Sequence, residues 1–249
     1  MHDRAKTKRQ LIDELVQLRR ESAQWKRLAA IGEAMTGLAH ESRNALQRSQ
    51  ACLELLSHRV EDQPEVLELI QRLQQAQEDL HRLYEEVREY AAPVLLQPER
   101  HDLGSLFLEA WDSVVVMHPD RRMQLCETNA GVELACRVDA FAIQQVFRNV
   151  LENALDACPD PVQVDVRYSL GQLPGKPAIR AQIRDHGPGL TADQQSRIFD
   201  SFYTTKARGT GLGLPIARRL VEAHGGHVTA ESPEGPGTEI VVVLPQHPG

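Results

Sequence analysis

Nine residues between positions 28 and 56 follow one another at steps that alternate strictly between 3 and 4: Leu28, Ile31, Met35, Leu38, Ser42, Ala45, Ser49, Cys52 and Leu56. Only a helix with one buried stripe repeats in this way, because steps of 3 and 4 keep side chains on one face of a 3.6-residue turn. After Glu61-Asp62-Gln63-Pro64 a second series runs in the same rhythm through Val66, Leu69, Leu73, Ala76, Leu80, Leu83, Val87 and Tyr90. Two such helices across so short a connection predict an antiparallel hairpin. One hairpin buries a single stripe per helix and leaves little core. Pairing two hairpins into a four-helix bundle resolves this, so the expectation is a homodimer; the alternative is a hairpin docked on its own second domain. Upstream, Leu11, Leu15, Leu18, Ser22 and Trp25 form a weaker seam. The steps Ser22 to Trp25 and Trp25 to Leu28 are both three, a stammer that overwinds a coiled coil and would transmit strain from an upstream input.

The chain changes character near residue 92. Before it stand only Gly32, Gly37 and Pro64 among helix-forming Leu, Glu, Gln and Arg; after it Gly, Pro and β-branched runs are frequent. Ala92-Pro93-Val94-Leu95-Leu96-Gln97-Pro98 should end a helix. The expected organisation is an N-terminal coiled-coil helix (1–27), a helical hairpin (28–92), a linker (93–100) and a second domain (101–249). In that second domain, helices are read over 102–117, 140–157 and 212–224. Strands are read over 123–127, 133–138, 162–168, 178–184, 227–231 and 239–244, the last two as a hairpin around Pro233-Glu234-Gly235-Pro236-Gly237. The fold class is therefore α plus α/β: a bundle-forming hairpin followed by an α/β sandwich.

A net charge of −7 over 249 residues argues against a nucleic-acid binder that relies on a basic field. The first 30 residues carry eight Lys/Arg against four Asp/Glu, but a solvated basic helix end accounts for this without membrane contact. No run of about 18 apolar residues and no secretory signal is visible, and the four cysteines are widely spaced, so a reducing cytoplasm is the default expectation. Residues 1–27 are too short for a further folded input module, which leaves either a soluble chain governed by a partner or a piece of something longer.

Four places carry chemistry. With Leu38 at d and Ser42 at a, His40 falls at the outermost heptad position, beside Glu41 and one turn before Asn44. Asn149, Asn153 and Asp156 share a flank of one helix, where side-chain oxygens can hold a hydrated Mg²⁺. Asp185-His186-Gly187-Pro188-Gly189 follows a strand: glycines let the backbone approach a flat ligand, and a carboxylate can accept from an amino group. Gly209-Thr210-Gly211-Leu212-Gly213-Leu214-Pro215 opens a helix whose N-terminus suits phosphate, with Lys206 and Arg208 upstream to pair with its oxygens. This loop fits neither the P-loop nor the dinucleotide fingerprint.

In this order and spacing the clusters resemble those of bacterial sensor histidine kinases, over about residues 28–245. Leu38–Leu46 resembles the family's H box, 145–157 its N box, 185–189 its G1 box, Ile198–Lys206 its F box, 209–214 its G2 box, and Gly237-Thr238 its closing Gly-Thr. The resemblance implies a dimeric phosphoacceptor hairpin and an ATP-binding domain of the GHKL type. It implies that Asp185 binds the adenine amino group, with Gly187 and Gly189 shaping the pocket, and that Thr238 is among the ATP-binding residues. Asn153 would coordinate Mg²⁺, and Asn149 would lie near the phosphates. Gly209, Thr210, Gly211, Leu212 and Gly213 would form a phosphate-facing lid anchored by Phe199 and Phe202. His40 would attack the γ-phosphate of ATP with Glu41 as base, and the phosphoryl group would pass to an aspartate of a response regulator receiver domain. Glu41-Ser42-Arg43-Asn44 fits the family's phosphatase pattern, with Asn44 orienting a water.

Three positions depart from the pattern. Ala45 stands where many relatives have proline, Ser42 is polar at a seam position, and Asp156 stands where a number of relatives carry a basic phosphate contact, which puts more weight on Lys206 and Arg208. The rival readings are a GHKL-type ATPase or serine-kinase anti-sigma factor without histidine phosphorylation, and a dimeric scaffold with a degenerate pocket.

Overall fold

The computed structural model describes residues 44–206, 209–231, 233 and 235–246. The readings that concern the upstream seam, the stammer, His40, Glu41 and Arg208 lie outside these residues. The chain divides into two compact units at Pro93/Val94.

The described part of the first unit is a hairpin of α1 (44–59) and α2 (Pro64–Ala91). Pro64 opens α2, where a missing N–H costs nothing and the fixed φ already suits a helix. The buried leucine and isoleucine of the hairpin are Leu53 and Ile70, each one residue beyond a seam position. Ser49 accepts a hydrogen bond from the Gln77 amide across the helices. The seam itself stays largely in the open: Leu56, Leu69, Leu73, Leu80 and Leu83 are all exposed, Leu69 by 58%. A bundle helix needs an apolar face wider than two heptad positions, and here the hairpin covers only its edge.

The second unit runs β1 (Glu99–Asp102), α3 (Leu103–Met117), β2 (Met123–Asn129), β3 (Ala135–Val138), α4 (Ala140–Ala157), β4 (Val162–Leu173) and β5 (Lys176–Asp185). It continues with α5 (Ala192–Arg197), α6 (Gly213–Ala223), β6 (His227–Glu231) and β7 (Glu239–Pro245). Five strands form a sheet in the order β2-β4-β5-β7-β6, with β2 parallel to β4 and the other neighbours antiparallel. β4 buries Val162, Val164, Val166 and Tyr168 on alternate positions, as a strand with one covered face must. α4 lies between α3 and α6, with Phe107 of α3 edge-on to Phe147 of α4 at 5.2 Å. Aspartates start both long helices: the Asp102 carboxylate accepts from Ser105 N at 2.9 Å, and that of Asp139 from Ala142 N at 3.0 Å.

Three elements differ from expectation. β4, read over 162–168, runs on to Leu173 in its pairing with β5. The stretch read as linker ends in β1, whose Glu99–Asp102 pairs antiparallel with β3. Its sequence, Glu-Arg-His-Asp, has no apolar alternation, so only the pairing reveals it. α5 was unread, although Thr191 and Gln194 make a reciprocal capping box that the T-x-x-Q spacing announces.

Candidate nucleotide site

β5 ends at Asp185, which is 7% exposed. Its Oδ1 accepts from Gly187 N at 2.9 Å and from Thr238 N at 3.0 Å, while its own N–H donates to the Thr238 carbonyl at 2.9 Å. Two loops far apart in sequence are thereby pinned to one carboxylate. The close approach depends on glycine. A Cβ on Gly237, whose φ is +112°, would collide with the Asp185 carbonyl oxygen. A Cβ on Gly187 would stand 3.1 Å from Asp185 Oδ1 and 3.2 Å from Cys158 Sγ, filling the space beside the carboxylate. Gly189 lies against the Gly237 carbonyl in turn. Burial and then the charge of Asp185 raise the Cys158 thiol above its ordinary range, so the thiol beside Gly187 is a neutral S–H.

α4 presents the second cluster. Its buried stripe of Ile143, Val146, Phe147, Val150, Leu151, Ala154 and Leu155 fixes the rotation of the helix, which leaves Asn149, Asn153 and Asp156 on the flank. Lys206 Nζ donates to Asn153 Oδ1 at 2.7 Å and to Asp156 Oδ2 at 2.9 Å. Asn149 is used differently: its Nδ2 donates to the Gly213 carbonyl at 2.9 Å, which ties the start of α6 to α4.

The third cluster is the turn before α6. Gly211 has φ +68°, and a Cβ there would come within 2.6 Å of the Tyr203 carbonyl oxygen; the Gly211 carbonyl accepts from Phe202 N at 3.0 Å. The Thr210 hydroxyl accepts from Leu212 N at 3.3 Å, and Leu212 is fully buried. This packing delivers the N-terminus of the 11-residue α6 to the same side as Asn149. Phe202 departs from its reading as an apolar anchor: its side chain is 61% exposed and its φ is +65°, so the backbone, not the ring, holds Gly211. Pro215 sits in the first turn of α6, where proline is tolerated.

Asp185, Gly187, Gly189 and Thr238 are thus brought together, as are Asn153 and Lys206, and Asn149 joins the Gly213 loop. Asn44, in the first unit, is exposed at the start of the described part of α1. Among the described residues no group of three His, Cys, Asp or Glu could hold a metal alone. The Asn153 and Asp156 oxygens that already hold the Lys206 ammonium are the hard donors a Mg²⁺ takes when substrate phosphates complete its shell, so the residues fit that ion.

Residues 138–248 match the family described as histidine kinase-, DNA gyrase B- and HSP90-like ATPase. Sensor histidine kinase ZraS of Escherichia coli (strain K12) is 30% identical over 228 residues, 92% of this chain and 48% of the relative. The chain thus spans about half the length of that relative. The catalytic domain of histidine kinase ThkA superposes with a TM-score of 0.53 at 25% identity, covering 61% of this chain and 97% of that one. ThkA in complex with response regulator protein TrrA has the same fold, with a TM-score of 0.65 at 24% identity over 94% of this chain and 67% of that one.

Proposed function

We infer the function from one premise: residues 138–248 belong to the histidine kinase-, DNA gyrase B- and HSP90-like ATPase family, in a chain related to sensor histidine kinases over most of its length. The chain is an ATP-dependent protein-histidine kinase that phosphorylates itself on His40 and passes the phosphoryl group to an aspartate of a response regulator receiver domain. The observation that carries the ATP half is the Asp185 carboxylate. With Oδ1 already accepting from two backbone N–H groups, Oδ2 is the acceptor left for an adenine amino group, and Gly187, with no side chain, lets its backbone close on the carboxylate and hold it in place.

Asn153 would hold Mg²⁺, with the phosphates of ATP supplying further oxygens. The ion, when bound, neutralises charge on the transferring phosphoryl group. The N-terminus of α6 and the Gly209–Gly213 turn face those phosphates with N–H groups and the positive end of the helix dipole. Lys206 and Arg208 supply cations to the terminal oxygens. The neutral imidazole of His40 forms an N–P bond as the bond from phosphorus to the β,γ-bridging oxygen breaks, and ADP leaves. Glu41 accepts the ring proton, which stabilises the developing imidazolium. Asn44 orients a water when the chain dephosphorylates its regulator.

A second copy covers the exposed leucines of the hairpin, making the homodimeric four-helix bundle. Leu69, Leu73, Leu80 and Leu83 lie one or two turns apart on α2, a continuous apolar stripe that water does not favour. The receiver-domain partner follows the relationship to ThkA, whose complex holds the response regulator TrrA. The place of action is the cytoplasm, where ATP and reduced thiols prevail.

The test uses ATP labelled at the γ- or the α-phosphorus, with Mg²⁺, on the wild type and His40→Gln. Label from the γ position only, labile to acid, stable to base and absent from the variant, is the expected result. ATP hydrolysis without label on the protein would make it an ATPase of the rival class instead.

A further inference from the structure

The Lys206 ammonium occupies the position that a metal ion on Asn153 would need. Asn153 and Asp156 are one turn apart on α4, so their oxygens converge, and Nζ bridges them at 2.7 and 2.9 Å. Both bonds carry the charge of the ammonium, and the carboxylate adds its own. Lys206 is part-buried with its pair to Asp156, its side chain 35% exposed. Its backbone is fixed as well, since Lys206 N donates to Thr204 Oγ1 at 3.1 Å.

We propose that Lys206 is a resident cation which Mg²⁺ must displace from Asn153, and that Asp156 is the positioning residue that sets how firmly it stays. This rests on the reading of Asn153 as the metal-holding residue. One amide oxygen cannot be bonded to an ammonium and a divalent ion at the same point, so metal-dependent binding of ATP frees Lys206 from α4. The freed cation is then available to the phosphate oxygens, and Asp156 is left to face the metal's hydration shell. Nucleotide without metal has no need to displace it. The latch is thereby a cost that metal-bound ATP meets and bare nucleotide does not, set by how firmly Asp156 holds the ammonium. The carboxylate at 156, which holds the ammonium on α4, is what makes the exchange necessary.

Two measurements on the full chain test this. In nucleotide-free protein, hydrogen exchange of the amides of residues 203–206 is compared for wild type, Asp156→Asn, Lys206→Met and the double variant. Each single change should speed exchange about threefold, the size of a part-exposed ion pair, and the double variant should be no faster than either alone. In the second, ATP affinity is measured with Mg²⁺ and in EDTA. Asp156→Asn also removes a carboxylate that attracts the metal, so its effect on the ratio of the two dissociation constants is measured in wild type and in Lys206→Met; the wild-type change should lie about threefold further toward the metal complex, because only there is a competing cation released. Additive exchange effects, or the same change of ratio in both backgrounds in variants whose melting curves match wild type, would overturn the proposal. If wild type binds no nucleotide under either condition, the ATP reading fails, while the exchange measurement still decides the Lys206–Asp156 latch.

Discussion

The two ends of the nucleotide site are built from different materials. At the Asp185 end a buried carboxylate is clamped by backbone N–H groups from two loops, and glycines with no room for a side chain hold those loops in place. At the Lys206 end, side chains that are a third to a half exposed meet through a flexible ammonium. The first arrangement cannot be loosened without disturbing the sheet that carries β5. The second can exchange partners at the cost of a pair worth about 1 kcal/mol or less. On the proposed function, the base of the nucleotide would meet a preorganised pocket, and the phosphates groups free to move as charge moves.

The contrast can be broken at either end. The largest effect is expected at the mobile end, in the chemical step. Lys206→Ala should lower the autophosphorylation rate about 100-fold, the size seen when one transition-state donor is removed, while ATP affinity changes less than about fivefold. A near-normal rate would remove Lys206 from the phosphate machinery. At the rigid end, Asp185→Asn would place an N–H where the proposed function needs an acceptor for the adenine amino group, and should weaken ATP binding about 50-fold by calorimetry without lowering the melting temperature markedly. Gly237→Ala acts on the same pocket through the backbone. The strain and the collision with the Asp185 carbonyl should destabilise the chain by roughly 2 kcal/mol in urea unfolding, with ATP affinity lost alongside.

The smallest effect sharpens the comparison by locating a rigid element away from the ligand. His224 joins α6 to α4. Its Nε2 accepts from Asp139 N at 3.0 Å, and its Nδ1 donates to the Leu220 carbonyl at 2.7 Å, so the neutral ring is the one that fits. Burial lowers its pKa below the ordinary value of 6.5. The unfolded chain therefore binds the proton more readily, and stability falls as pH drops below about 6.5. Hydrogen bonds from Gln97, Ala142 and Phe141 and the nearby His224 outweigh burial at Asp139 and lower its pKa, so its contribution is lost only in stronger acid, below the ordinary 3.8. Melting temperatures between pH 7.5 and 5 should fall for the wild type and fall less for His224→Gln.

What was legible in the sequence follows the same division. α4 reads from residue 140 to residue 157 because Ile143, Val146, Phe147, Val150, Leu151, Ala154 and Leu155 repeat with the helix and Asp139 caps it. The Asp185 pocket was legible as a strand end followed by glycines. The role of Thr238 as a second clamp on Asp185 was not, since nothing local marks a backbone N–H that reaches a residue 53 positions away. β1 was missed because Glu99–Asp102 owes its extended form to β3 and not to its own composition. Periodicity marks a stripe on the hairpin but does not say which partner covers it. In the single chain Leu53 and Ile70 take the inner positions and the seam leucines stay exposed. At the phosphate end, Lys206 and Asp156 were each singled out, but 50 residues of chain separate the pair and only the fold joins them.

The most direct measurement is the position of the phosphoryl group itself. The full chain is incubated with ATP and Mg²⁺, digested at neutral pH so that a phosphoramidate survives, and its peptides are fragmented. A phosphoryl group on His40, and none on the corresponding peptide of His40→Gln, is the predicted result. Phosphate on a serine or threonine, or an unmodified His40 peptide from protein that binds ATP, would contradict it.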